Sequence, residues 1–195
     1  MSERLRPLIQ RAVLDIVEYD YQTRTEMVQL DRLMPFCVMS YLKRGEALLR
    51  IQGKEYKCRG GDAIFVPPNV RHDHVKTSKE ETEFLWWHFN FRTAYNIDVL
   101  SFLKLPYKVH MENSSEFEQK FFDYMEAIQN EKTIADMIYK NAKALEVLAC
   151  IFDSFLRSEK AQLAPDIPEV FMDIFDDISQ MPRAGMNLKT LAEKY

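Results

Sequence analysis

Histidine and aromatic side chains recur at two-residue spacing in the first half of the chain. One residue separates His72 from His74, and the same alternation recurs in a later run, at Phe84, Trp86, His88 and Asn90. In a β-strand, side chains two positions apart point to the same face. Each set therefore predicts one surface that mixes aromatic rings with hydrogen-bonding groups, which is the lining expected of a pocket for small polar molecules.

Arg44 could add a fixed charge and several hydrogen-bond donors to such a pocket, because it lies directly before the turn at Gly45. Each of these residues also has a structural interpretation. His72 follows a proline-rich turn and could be a structural histidine, Trp86 could belong to the core, and Arg44 could be exposed and unused. The intervening residues of the later run are apolar and predict plain core: Leu85, Trp87, Phe89 and Phe91.

Three histidines could also hold a catalytic metal ion, because such sites often use three protein ligands and leave one position open. His72, His74 and His88 are the candidates, but no carboxylate stands at a recognisable spacing and no second histidine pair precedes Gly45. Gly-x-Ser-x-Gly, a phosphate-binding glycine loop and paired cysteines are missing. We expect no catalytic residue, no metal ligand and no cofactor. The alternative is a metal-dependent enzyme that acts on a small carbohydrate or acid.

The elements that would position these residues are short strands within residues 1–111. They are predicted at Arg11–Tyr19, Phe36–Leu42, Ala47–Ile51, Glu55–Cys58, Ala63–Val66, Glu83–Arg92 and Tyr107–Met111. Turns at Gly45, Gly53 and Gly60-Gly61-Asp62 separate them, and Pro67-Pro68 interrupts the series. Strands spaced about 8–12 residues apart indicate a sandwich or barrel and not βαβ units.

Helical spacing begins after Met111. Ser115 and Glu118 predict a capping box at the start of a first helix, and a second helix is expected from near Thr133. The second helix carries apolar residues and one asparagine at heptad spacing: Ile138, Asn141, Leu145, Leu148 and Phe152. This seam could pack on the barrel, pair with its copy in a second chain, where an asparagine can fix register, or do both on different faces.

The remaining residues predict a linker and two more helices. Leu163–Pro168 is the expected linker, a third helix covers about Glu169–Gln180, Pro182–Gly185 is a break, and a fourth helix opens at Asn187. The net charge is −4 and the second half is the more acidic, so the chain lacks the basic footprint of a nucleic-acid-binding surface.

The cysteines and the apolar pattern bear on localisation. Cys37, Cys58 and Cys150 are odd in number and far apart, which favours free thiols in a reducing compartment. No apolar run reaches the roughly 18–20 residues needed to span a bilayer, and the N-terminus has no signal-peptide pattern. We expect a cytoplasmic protein.

Two motifs in this order carry a family resemblance. The run from Gly60-Gly61-Asp62 through Pro67-Pro68 to His72, followed by Trp86-Trp87-His88-Phe89, resembles the sensor domain of AraC-family transcriptional regulators. The resemblance implies an α+β fold with three parts. Residues 1–111 would form a cupin double-stranded β-helix (jelly-roll barrel) that binds an effector. Residues 112–160 would form an α-helical dimerisation hairpin, and residues 161–195 a linker and a partial helix-turn-helix.

The barrel is also similar to the arabinose-responsive member of this family, at Arg44-Gly45 and from Glu55 to Asp62. This similarity implies that Arg44, His74, Trp86 and His88 contact a ligand. The strand alternation adds His72 and Asn90 as further candidates. It implies that the region of Pro7 is an arm that closes over the ligand. The order of the aromatic and polar residues differs, so we expect an effector other than arabinose.

The resemblance predicts the function as well. The chain would be the ligand-sensing and dimerisation portion of a transcription factor. Its effector would be a small polar molecule, with sugars as the first candidates, and the protein would be a homodimer. DNA would be bound only through a C-terminal helix-turn-helix region, because the chain stops within the second helix of the first motif. A helix-turn-helix reads bases with its recognition helix. We therefore expect this chain, as part of a longer regulator, not to bind DNA specifically by itself.

Overall fold

The computed structural model describes residues 2–93, 96–164, 170, 173, 174, 177 and 188–194. These residues belong to two compact units. The larger comprises Leu14–Asn90 and Leu105–Ala161, and the smaller comprises the residues before Leu14, Phe91–Lys104 and the residues from Gln162 onward.

Strands dominate the first 110 residues. They are β1 (Ala12–Arg24), β2 (Val28–Arg32), β3 (Cys37–Arg44), β4 (Glu46–Ile51), β5 (Lys54–Arg59), β6 (Asp62–Val66), β7 (His72–Lys76), β8 (Thr82–Thr93), β9 (Leu103–Lys104) and β10 (Lys108–His110), with β11 (Gln162–Leu163) later in the chain. One sheet has the order β1-β8-β3-β6-β10, and a second has the order β2-β7-β4-β5. Pairing is antiparallel from β8 to β10 in the first sheet and between all neighbours of the second. The two sheets form the cupin-type barrel, which confirms the predicted fold class.

The inward and outward faces of the barrel follow from alternation along β3 and β8. In register, Ser40 of β3 stands opposite Trp86 of β8, and Tyr41 stands opposite Leu85. Side chains of one parity meet inside the barrel, and those of the other parity lie on its outer surface. Part of the interior is filled by a cluster of buried apolar residues: Val38, Leu42, Ala47, Leu49, Ile51, Cys58, Ile64, Val66 and Phe84.

Two turns explain how short strands reverse so tightly. Gln52 and Gly53 both have positive φ, of 51° and 74°, which is the requirement of a type I′ hairpin between β4 and β5. Gly45 has a φ of 93° between β3 and β4, and a Cβ atom there would overlap the side chain of Thr82. Glycine is therefore required at position 45 by both backbone conformation and space.

An antiparallel pair of helices covers the outer face of the first sheet. Helix α2 covers Ser114–Gln129 and helix α3 covers Ile134–Leu156. Aromatic contacts join the helices to the strands: Tyr41 with Phe117 at 5.1 Å, Phe65 with Phe152 at 5.8 Å and Trp87 with Phe121 at 6.4 Å between ring centroids. The predicted two-helix hairpin is present, and much of its apolar surface packs on the barrel.

The helix caps differ from the prediction in one respect. Helix α2 begins after Asn113, and no side chain caps it, so the capping box predicted at Ser115 is wrong. Glu118 instead accepts a hydrogen bond from the Tyr41 hydroxyl at 2.8 Å and pairs with Lys43 at 3.2 Å. Helix α3 has the capping box, because Thr133 and Asp136 bond reciprocally to each other's backbone N–H groups.

The smaller unit contains short elements. Helix α1 covers Ser2–Ile9, a 3₁₀ helix covers Val99–Phe102, and β9 pairs with β11. Helix α4 covers Leu188–Lys194, within the predicted fourth helix. Residues 170, 173, 174 and 177 are helical, while the rest of the predicted third helix, most of the linker and the break at Pro182–Gly185 lie outside the described residues.

Two further expectations concern compartment and membrane. Cys58 and Cys150 are buried free thiols, as predicted, and Cys37 is buried in β3. Among the described residues, no helix has the length and apolarity that crossing a bilayer requires.

Candidate ligand-binding site

The barrel encloses a cavity of about 250 Å³ beside its apolar core. This volume is slightly below the roughly 300–1,000 Å³ of common small-molecule pockets. Five strands (β1, β2, β3, β7 and β8), together with Met27 in the β1–β2 connection, supply the lining: Glu18, Gln22, Arg24, Met27, Gln29, Arg32, Val38, Ser40, His74, Phe84, Trp86 and His88. Charged, amide, hydroxyl and aromatic groups converge on one small space, as in sites that bind polar molecules.

Strand β8 contributes the aromatic wall of the cavity. Of the residues predicted to share one face of this strand, Phe84, Trp86 and His88 line the cavity and Asn90 does not. The His88 ring lies 4.8 Å from the Trp86 ring and stacks on Phe36 at 4.9 Å between centroids. The alternate residues Trp87 and Phe89 are buried on the other face. A flat surface of this kind suits the C–H face of a small ring or chain.

His88 is fixed by a carboxylate. Its Nδ1 lies 3.1 Å from Oε2 of Glu18 on β1. Burial lowers the pKa of His88 more than Glu18 raises it, so the imidazole is neutral at pH 7. Because a carboxylate only accepts hydrogen bonds, Nδ1 carries the proton and donates it to Glu18. The ring orientation is thereby set within the cavity wall.

His74 is a buried histidine of the cavity wall. Burial lowers its pKa to about 3, with the charges of His72 and Arg32 acting in the same direction. Its ring packs edge-on against Phe84 at 5.6 Å between centroids, and its Nε2 has no hydrogen-bond partner in the described part of the chain. A buried polar atom without a partner is uncommon in proteins and is compatible with a bound group that supplies the missing bond.

His72 is buried, but it is not among the lining residues of the cavity. Its Nδ1 lies 3.0 Å from the carbonyl oxygen of Val70, which fixes Nδ1 as the donor and leaves Nε2 without a hydrogen-bond partner among the described residues. Burial lowers its pKa as well. The hydrogen bond of Nδ1 fits a structural role for His72. A ligand contact by this residue stays a prediction.

The other predicted ligand residues lie apart from this lining. Arg44, at the end of β3, is mostly exposed and pairs with Glu83 at 3.1 Å. Asn90 donates a hydrogen bond to Asp15 on β1 at 3.3 Å. Pro7 lies within helix α1, in the smaller unit. Their roles in ligand binding, including that of an arm at Pro7, remain predictions.

Sequence reasoning missed the polar half of the lining, which comes from β1 and β2. Glu18, Gln22 and Arg24 are an even number of residues apart on β1, so they share one face. Gln29 and Arg32 follow on β2, where Asp31 has a positive φ of 55° and the pairing with β7 shifts register. The even spacing of polar residues on β1 could have predicted that they line the cavity. The register shift in β2 breaks the alternation, so its inward residues could not be predicted in this way.

A metal centre has no support from the side-chain positions. Within the part of the chain that the structure describes, no group of three or more His, Cys, Asp or Glu residues could hold a metal ion.

A second surface of interest is the exposed side of α3. Of the predicted seam, Ile138 and Leu145 are 66% and 47% exposed, and Asn141 is exposed between them. Leu148 and Phe152 are buried, and Phe152 contacts the barrel residues Phe65 and Phe89. The seam is therefore divided between an inner part on the barrel and an outer apolar part that begins near Ile134, which is 78% exposed.

Comparison with protein families gives one match, which spans residues 31–146 and is described as the AraC-like ligand binding domain. The matched segment runs from β2 to the middle of α3 and contains most of the cavity lining. Comparison with curated protein sequences found no match.

Solved structures similar to this chain include three bacterial proteins. A putative ethanolamine utilization protein Q from Salmonella typhimurium is 13% identical, with a TM-score of 0.33, over 40% of this chain and 68% of that one. A cupin superfamily protein from Desulfitobacterium hafniense is 12% identical, with a TM-score of 0.31, over 40% and 75%. The protein YhaK from Escherichia coli is 13% identical, with a TM-score of 0.38, over 51% and 44%.

Proposed function

Since the chain belongs to the AraC-like ligand-binding domain family, we propose that it is the ligand-sensing and dimerisation portion of a transcriptional regulator. One observation carries the proposal: the barrel of this sensor family encloses a cavity into which β8 directs Trp86 and His88. The effector is a small polar molecule of the sugar class. Polar groups fix its orientation, and the Trp86 ring covers one of its faces.

The test is thermal unfolding of the chain against a panel of sugars and sugar acids. A specific ligand stabilises by mass action, by roughly 2.7 kcal/mol at a hundredfold excess over its dissociation constant. Trp86→Ala and His88→Ala should weaken the response to the same compound, because both rings line the cavity. A compound that stabilises the native chain and both variants equally would overturn the site assignment. A metal assay on the same sample addresses the alternative of a metal-dependent enzyme.

Strand β8 gives the proposal a physical route from ligand to helices. Trp86 and His88 face the cavity, while the adjacent Trp87 and Phe89 face the helical hairpin. Trp87 contacts Phe121 of α2 and Phe89 contacts Phe152 of α3. A ligand that shifts β8 would therefore alter packing beneath α3. Allostery of this kind requires the effector to bind more tightly to one helix arrangement than to the other.

Dimerisation is assigned to the outer side of α3. Ile134, Ile138 and Leu145 are exposed apolar residues on one helix, and burying such residues against a second copy would remove apolar surface from water. Asn141 lies between them and would fix the register of the two helices. This assignment leaves Leu148 and Phe152 to the intramolecular core.

Two glutamate substitutions separate these roles. Ile138→Glu should shift sedimentation toward the monomer at an unchanged monomer fold, because Ile138 is 66% exposed. Leu148→Glu should instead destabilise the fold, because Leu148 is buried and a charge there has no partner. An Ile138→Glu protein that remains dimeric would show that this part of α3 is not the interface.

DNA contact is assigned to a helix-turn-helix region to which α4 (Leu188–Lys194) would belong. The net charge of −4 supports placing specific DNA binding outside the barrel and hairpin. A gel-shift assay with a mixed promoter library tests this point. Specific retardation that survives removal of residues 161–195 would contradict it.

A further inference from the structure

Arg32 is a cavity residue whose guanidinium has no directly paired acid among the described residues, although the charge of Glu18 acts on it. Its Nη1 donates to the neutral amide oxygen of Gln29 at 2.6 Å, and it forms no ion pair within 4 Å in the described part of the chain. The side chain is partly buried, and burial lowers the pKa of its guanidinium. A partly desolvated guanidinium in a cavity favours an anion, because it offers two parallel donors that match a carboxylate.

The rest of the lining adds positive charge to the same space. Arg24 also lines the cavity, and in the described part of the chain it donates hydrogen bonds to the neutral Gln22. His74 and His88 are neutral at pH 7, because burial lowers the pKa of each ring. Among the described residues of the lining, Glu18 is the one acid. Its carboxylate accepts a hydrogen bond from His88, and its charge also acts on Arg32. Two guanidiniums against one carboxylate leave the cavity with a net charge of +1, within a chain whose net charge is −4.

Arg32 also acts on the buried histidines. Its charge lowers the pKa of His72, His74 and His88 alike, so its guanidinium lies close enough to influence all three rings. An anion bound by Arg32 would offset this repulsion and would lie beside the wall formed by His74 and Trp86. The neutral groups of that wall would then contact the uncharged remainder of the ligand.

From these contacts we infer that the effector is a small organic anion, a hydroxylated carboxylate of the sugar-acid type, whose carboxylate binds Arg32. The inference rests on the proposed function, since it specifies the ligand of the same cavity. Trp86 covers the carbon skeleton, while Ser40 and Gln29 bond to hydroxyl groups. A cavity of about 250 Å³ limits the ligand to a single small ring or a short chain.

Matched pairs of compounds test the charge directly. Galactose and galacturonate, and glucose and glucuronate, differ at one carbon, which is a hydroxymethyl group in the first member and a carboxylate in the second. Binding is followed by thermal shift and by tryptophan fluorescence. We expect the acid of a pair to bind at least tenfold more tightly than its neutral counterpart, with a dependence on salt concentration.

Variants assign the charge to a residue. Arg32→Gln should lower the affinity for the acid about 10- to 100-fold, the usual range for a charged hydrogen bond that is lost. Arg50→Gln is the control, because Arg50 is an exposed arginine that pairs with Glu55 and does not line the cavity. It should leave the affinity unchanged.

Each other outcome has a distinct meaning. If the neutral sugars bind as tightly as the acids and Arg32→Gln has no effect, the anionic ligand is wrong while the sensor function stands. If no member of any pair binds, both proposals for this cavity are overturned.

Discussion

The buried histidines predict a specific loss of stability in acid, and His74 allows its size to be worked out. An unfolded histidine binds a proton with a pKa near 6.5, whereas burial lowers the pKa of folded His74 to about 3. Below pH 6.5 the unfolded chain binds more protons than the folded chain, so the free energy of unfolding falls as pH falls. Between pH 7 and pH 5 this linkage amounts to about 2 kcal/mol for His74 alone. His72 and His88 act in the same direction, because burial lowers the pKa of each.

Urea unfolding at pH 7 and pH 5 measures this difference. In His74→Gln, which cannot titrate, the difference should be about 2 kcal/mol smaller than in the native chain. Comparing the two differences removes groups that titrate in both proteins, including Asp98, whose pKa is raised by burial. The reasoning would be refuted if His74→Gln lost as much stability between pH 7 and pH 5 as the native chain.

Two further predictions follow from the backbone. Thr133→Ala should lower the free energy of unfolding by about 1 kcal/mol, since Thr133 caps α3. Ser115→Ala should change it by no more than about 0.5 kcal/mol, because Ser115 forms no cap. Equal losses of the two variants in urea unfolding would contradict the cap assignment. Gly45→Ala should cost at least about 2 kcal/mol, from positive φ and overlap with Thr82. Gly53→Ala should cost roughly 1 kcal/mol, because its φ is positive but the space is open; thermal unfolding that ranks Gly53→Ala as the more damaging would contradict this.

The parts of the fold that alternate strictly could be read from sequence. Along β8, polar and aromatic residues of one parity face the cavity and apolar residues of the other parity face the helices. The hairpin between β4 and β5 was equally readable, because Gln52-Gly53 is a turn signal with a specific backbone requirement. Both features depend on local rules, so no long-range information was needed.

Features that depend on tertiary contacts were harder to predict. Strand β2 (Val28–Arg32) is short and partly polar, and its pairing with β7 contains a register shift. Its Arg32 therefore resembles a surface arginine in sequence, although it lines the cavity. Glu118 fits a capping box by spacing, but Tyr41 and Lys43 from the barrel compete for its carboxylate. In each case a residue distant in sequence determines the role.

The division of the α3 seam has the same origin. Heptad spacing places Ile138, Leu145 and Phe152 on one stripe of the helix, but only the C-terminal part lies over the barrel rings Phe65 and Phe89. Sequence spacing predicts which residues share this face of α3. It does not predict how many of them pack on the barrel. The boundary between an intramolecular contact and a dimer contact therefore required the structure.

The most direct test of ligand sensing by the barrel is a fluorescence titration of the native chain and of Trp86→Phe with the sugars and sugar acids. The chain has two tryptophans, and Trp86 lines the cavity while Trp87 is buried on the opposite face of β8. We predict a saturable change of emission with one compound in the native chain, and its loss in Trp86→Phe. A saturable change of equal size in Trp86→Phe would place the ligand elsewhere and contradict binding in this cavity.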